Sequence, residues 1–274
     1  MDILKEAGIA MERLQSRRPL IHHITNFVTM NDCANVTLAI GASPTMTDAI
    51  EESGQMAAAS NALLLNLGTL QQCRLEAMLR AGKAAEHKQI PIILDPVGAG
   101  GTPFRTAAAL QLLQSLPIAV VRGNLSEISA LASQRSGINI GVDNHAAETV
   151  SADLAGHLAG LIGTTVVITG VVDAISDGKR TVLLGNGCPM LARVTGTGCM
   201  TTSLIASYAA VASPFVSAAA GVLSMGIAGE MALAKSGGAG PGTFHALLID
   251  SIYQLMPEIF TLKGKVLNYN EQSS

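Results

Sequence analysis

No tryptophan occurs among the 274 residues of this chain, and aromatic side chains make up only 3% of it. Charge is also scarce: Asp, Glu, Lys and Arg are 14% of the residues, with a formal net charge of −3. Lacking a basic cluster and stacking platforms, the sequence excludes nucleic acid as an expected partner. Cys33, Cys73, Cys188 and Cys199 show neither CxxC nor Cys/His spacing, which argues against a zinc site or a disulfide frame. Cys33 and Cys73 read as small buried hydrophobes. No 18-residue apolar run appears, and the opening DILKEAGIAMERLQSRR has the pattern of an amphipathic helix, not of a signal peptide. A soluble, cytoplasmic protein without a membrane partner is expected. Neither GxxxxGKS/T nor a GxGxxG after the first strand is present, which removes a P-loop NTPase and the usual dinucleotide fingerprint.

What the chain has is apolar character, 49% of its residues. So small a charged shell leaves apolar surface to be covered by other copies of the chain, so a homo-oligomer is expected. Short apolar runs ending in polar residues recur: LIHHITN (20–26), ALLLNLG (62–68), IPIILDP (90–96), IAVVRGN (118–124) and TVVITG (165–170). Segments with helical spacing separate them, including QQCRLEAMLRAGKAAEHK and NHAAETVSADLAGHLAGLIG. Continuous apolar strands alternating with helices predict an α/β sandwich, a mostly parallel sheet covered on both faces. VVDAIS, DGKR and TVLLG then read as two antiparallel strands around a turn. The last 75 or so residues read as mostly helical. With no linker, charge block or repeat, residues 1–274 are expected to form a single domain.

In such sheets ligands bind beyond the carboxyl ends of the strands. That directs attention to Asn26, Asn66, Asp95, Arg122, Asn124 and Thr169, although Asn and Asp also end strands simply by making turns. VTGTGC (194–199) places glycines where a helix opens, and the free N–H groups of such a turn suit an anion. The helix dipole there favours a thiolate at Cys199, which reads either as a nucleophile or as a base beside a phosphoryl group. Asp95, ending a buried strand before the Gly-rich DPVGAGGTPFR, suits a hard cation shared with phosphate oxygens. Arg122 could reach a phosphate with its planar fork. Glu127 reads equally as a metal-side acid or as a first-turn glutamate favoured by the dipole. His22 and His23 point to opposite sheet faces and cannot share one ligand. GGAGPGTF (237–244) reads as a lid or a helix connection, the latter preferred.

Taken in order, HHITN, GASPTM (41–46), LLLNLGTL (63–70), ILDPVGAGGTPFR, VRGNLSEI, VITG (167–170) and VTGTGC resemble the signature blocks of the hydroxyethylthiazole kinase family, of ribokinase-like fold. The resemblance spans nearly the whole chain. It implies a three-layer ribokinase-like sandwich and ATP-dependent phosphorylation of the hydroxyl of 4-methyl-5-(2-hydroxyethyl)thiazole in thiamine salvage. It further implies Asn26, Met46 and Gly196 on the thiazole side, Arg122 and Thr169 on ATP, and Asp95 and Glu127 near Mg²⁺. Cys199 stands where related sugar kinases carry an aspartate base. A homotrimer with active sites between subunits is implied as well. Val171 departs from the family pattern, in which an acid is expected after VITG. Competing readings are a ribokinase-like nicotinamide-hydrate dehydratase, for which an aspartate would replace Cys199, and a non-catalytic thiazole-binding protein. A cysteine hydrolase is a more remote alternative.

Overall fold

The computed structural model describes residues 2–136 and 147–271. Its first helix, α1 (Ile3–Arg17), starts where the Asp2 carboxylate accepts the Lys5 N–H and stops where Arg18 turns left-handed at φ +47°. The chain then enters a nine-stranded sheet in the order β2-β1-β3-β4-β5-β6-β7-β8-β9.

Strands β1 (Leu20–Ile24), β2 (Ser43–Met46), β3 (Ala62–Asn66), β4 (Ile92–Asp95), β5 (Ile118–Asn124) and β6 (Thr165–Thr169) pair in parallel. Every residue of β3 and β4 is buried, as expected of parallel strands covered on both faces. Antiparallel pairing follows through β7 (Asp173–Ser176), β8 (Arg180–Leu184) and the C-terminal β9 (Val266–Glu271).

The five parallel strands read from sequence and the β7–β8 hairpin are therefore present. Two strands escaped that reading. SPTM of β2 contains a proline and lies at the sheet edge, where a missing N–H is tolerated. VLNYNE of β9 lies in a stretch read as helical, and only its pairing with β8 makes it a strand.

One apolar layer packs α1, α8 (Thr197–Ala209), α9 (Pro214–Ser236) and α10 (Pro241–Tyr253) on one sheet face. The other carries α4 (Gln72–Lys88), α5 (Pro103–Ser115), α6 (Leu125–Ser136) and α7 (Ala147–Ile162). The start of the helix expected over 144–163 lies outside the described residues, and α7 accounts for the rest. Between β1 and β2 runs α2 (Met30–Ala39), and α3 (Ser53–Ala59) leads into β3. Among the described residues α9 alone is long and apolar enough to cross a membrane, and 83% of its apolar window is buried inside the fold, as in a core helix. Gly237 and Gly238, both at positive φ, connect α9 to α10.

Candidate active site

Parallel pairing sets the carboxyl ends of β1, β3, β4, β5 and β6 side by side. Asn66 lies opposite Asp95 in the β3–β4 register, and Asn124 lies opposite Thr169 in the β5–β6 register. Helix α8 closes this edge. Its N-cap Gly196 has φ +83°, and a Cβ there would lie 2.2 Å from Thr29 Cγ2, so both the conformation and the space require glycine. The first helical bond runs from Met200 N–H to the Gly196 carbonyl, so the amides of Thr197, Gly198 and Cys199 precede the helical ladder, and no side chain caps the turn.

Beneath that turn lies a chain of buried polar groups. Asn26 Nδ2 donates to Asn66 Oδ1 at 3.0 Å, and Asn66 Nδ2 donates to Asp95 Oδ2 at 2.9 Å. Thr202 Oγ1, one turn into α8, donates to the same Asp95 oxygen at 2.8 Å. Arg122 Nη1 stands 3.8 Å from Asp95 Oδ2, an ion pair too long to be a hydrogen bond, while Nη2 donates to Thr169 Oγ1. Arg122 also lies against Gly198, where a Cβ would fall 2.5 Å from Nη1. Two atoms of this set are buried without a partner among the described residues: Asp95 Oδ1 and Arg122 Nε.

Burial pushes the Asp95 carboxyl up to about 6, against the pull of Arg122, Thr202 and Asn66. Cys199 differs from the expectation that its helix start would lower it. Burial raises the thiol's pKa, and the negative charge of Asp95 adds to the rise. Its Sγ faces Asn26 Nδ2 at 3.4 Å and Asn66 Nδ2 at 3.3 Å, so a neutral thiol sits over two amide donors.

Glu127 forms a reciprocal capping box with Asn124: Asn124 Oδ1 accepts the Glu127 N–H, and Glu127 Oε2 accepts the Asn124 N–H, each at 2.9 Å. Its other oxygen accepts the Gly98 N–H at 2.9 Å, tying the Gly-rich loop after β4 to the start of α6. These bonds make Glu127 the first-turn glutamate of the second reading, and its charge also reaches Asp95. Met46 ends β2 opposite His23 of β1.

Asn66 was legible as a strand-end residue, but Thr202 and Asp173 were not singled out. Asp173 accepts the Gly170 N–H at 2.9 Å, feels the charge of Arg122, and is pushed by burial up to about 7. The histidines are both packed: His22 meets Thr47, and burial lowers His23 to about 4. Cys33 is buried as expected, whereas Cys73 is exposed because it stands on the outer side of the first turn of α4. Val171 is 98% exposed in the turn between β6 and β7. At the opposite edge of the sheet, a cavity of 260 Å³ is lined by Ile118, Thr165, Asp177, Arg180 and Phe215, and holds none of these site residues.

Residues 11–258 match the model of the hydroxyethylthiazole kinase family. The hydroxyethylthiazole kinase of Clostridium beijerinckii is 44% identical over 270 residues, 97% of this chain and 98% of that protein. The solved hydroxyethylthiazole kinase of Pyrococcus horikoshii superposes with a TM-score of 0.89 at 39% identity, covering 97% and 99% of the two chains. A ribokinase-like protein of Enterococcus faecalis, 16% identical with a TM-score of 0.60 over 89% of each chain, shares the fold alone. On this full-length agreement of sequence and architecture, the chain belongs to the hydroxyethylthiazole kinase family.

Proposed function

We propose that this chain transfers the terminal phosphoryl group of ATP to the hydroxyl of 4-methyl-5-(2-hydroxyethyl)thiazole, for thiamine salvage. A bond forms between the acceptor oxygen and the γ-phosphorus, the bond to the β,γ-bridging oxygen breaks, and ADP and a proton are released. The observation that carries this reading is the pairing of an uncapped glycine turn with a half-satisfied buried carboxylate. The amides of Thr197, Gly198 and Cys199 supply positive partial charge for the transferred group, and Asp95 stands beneath them with Oδ1 unpartnered.

On the nucleotide side, Arg122 and Thr169 bind ATP, the guanidinium being steadied by Thr169 and by the space that Gly198 leaves. Asn26, Met46 and Gly196 form the acceptor side. Cys199, kept neutral by its raised pKa, positions the acceptor hydroxyl rather than taking its proton. This suits a loose transition state, in which positioning and charge stabilisation outweigh proton abstraction.

Mg²⁺ fits the residues present. Among the described residues no cluster of three metal-binding side chains exists, but Mg²⁺ bound with nucleotide commonly uses one or two carboxylates and otherwise phosphate oxygens and water. Asp95, with its free oxygen, and Glu127 would supply those carboxylates. When bound, the ion neutralises charge on the phosphates.

The working unit is a single domain assembled as a homotrimer in the cytoplasm. The assembly is supported by exposed apolar side chains such as Phe27, Val28, Leu38, Met256 and Leu262, on a chain with few charges. Phosphorus NMR of a reaction with MgATP and the thiazole alcohol tests the chemistry: a new phosphomonoester signal is expected. Inorganic phosphate as the phosphorus product beside ADP, with the alcohol unchanged, would refute it.

A further inference from the structure

Arg74 stands in the first turn of α4, where the helix dipole disfavours a cation, yet it is only 3% exposed. Apolar side chains of similar volume replace many buried ion pairs without loss of stability, so stability alone does not account for a guanidinium here. Its contacts supply another reason. Nε and Nη2 each lie 3.0 Å from Asp48 Oδ2, two residues past Met46 at the end of β2. Nη1 donates to the Thr69 carbonyl at 2.9 Å and to Thr69 Oγ1 at 3.0 Å, in the turn after β3. The guanidinium carbon lies 4.1 Å from the centre of the Phe27 ring, next to Asn26 in the loop after β1.

These three loops also hold one another. The Phe27 N–H donates to Thr69 Oγ1 at 3.2 Å, and Gly68 packs so closely on Asn26 that a Cβ would fall 2.6 Å from the Asn26 Cβ. Thr69 has φ +46°, a left-handed conformation that a β-branched residue keeps only when its surroundings enforce it. Strands β2, β1 and β3 are neighbours at one side of the sheet, whereas Arg122 and Thr169 stand on β5 and β6, beyond β4.

We infer that Arg74 is a positioning residue for the phosphoryl acceptor: one planar fork fixes the three loops that set Asn26 and Met46, and leaves the nucleotide side untouched. The inference rests on the kinase reading above, in which Asn26 and Met46 face the thiazole alcohol.

Two variants test it, measured with each substrate varied separately. Arg74→Lys keeps the charge but loses the fork, and Thr69→Val removes the bridging hydroxyl while leaving the guanidinium in place should the first variant fold poorly. In both, KM for the thiazole alcohol is expected to rise about tenfold, since small misplacements cost up to roughly a hundredfold, with KM for ATP nearly unchanged. Amide exchange over 26–29 and 67–70 is expected to accelerate. An unaltered acceptor KM, an equal rise in both KM values, or unaltered exchange would overturn the assignment. Calorimetric titration of the thiazole alcohol separates the two claims: no binding by the unmodified protein contradicts the kinase reading, whereas equally tight binding by Arg74→Lys overturns this inference alone.

Discussion

Thr202 and Asp95, 107 residues apart in the chain, are joined by a 2.8 Å hydrogen bond from hydroxyl to carboxylate. With Asn66 donating to the same oxygen, this bond leaves the other carboxyl oxygen, Oδ1, buried and without a partner among the described residues. The donation favours the charged form against the cost of burial, which holds Asp95 at about 6. Activity that needs the carboxylate is therefore present above that value and falls as pH drops through it. Thr202→Val removes a bond to a charged group worth about 1.5–3 kcal/mol, so the acid limb of the kcat/KM profile is expected to move up by about one pH unit. An unmoved limb would separate Asp95 from the pH dependence.

Gly198 makes room for the Arg122 guanidinium. Gly198→Ala places a Cβ 2.5 Å from Nη1 and forces the fork away from Thr169. KM for ATP is expected to rise by about tenfold or more, with the acceptor KM little altered. Separate titrations of the two substrates check this, and equal sensitivity of both would count against Arg122 as a nucleotide contact.

Asp173 carries a stability prediction. Its carboxyl, raised by burial to about 7, binds a proton in the folded chain that the unfolded chain has already lost. Its contribution to stability is thus greatest at low pH, declines as pH climbs from the ordinary carboxylate value to about 7, and stays at its lowest above that. Asp173→Asn keeps an oxygen for the Gly170 N–H and removes the charge. At pH 8 the variant is expected to be more stable by about 1–3 kcal/mol. Denaturant midpoints at pH 5 and pH 8 decide it: the gain should be large at pH 8 and small at pH 5.

Local sequence carried much of this architecture. LLLN, IILD and TVVIT are apolar throughout except at their ends, so both their strand character and their polar edge could be read directly. The hidden parts depend on partners distant in sequence. Thr202 looks like any hydroxyl residue inside an apolar helix until β4 is set beneath it. Arg74 looks like one more charge in an amphipathic helix until three loops close over it. The raised pKa of the Cys199 thiol is hidden for the same reason: the helix start is visible in VTGTGC, but the burial and the neighbouring Asp95 that outweigh it are not.

The most direct measurement is ADP release from MgATP with the thiazole alcohol, run on the unmodified protein beside Cys199→Ala and Cys199→Asp. The account predicts acceptor-dependent turnover, a loss of about ten- to a hundredfold in Cys199→Ala, where the hydroxyl loses its seat, and turnover retained or raised in Cys199→Asp, whose carboxylate can hold the hydroxyl and also accept its proton. No acceptor-dependent ADP from the unmodified protein would contradict the kinase account.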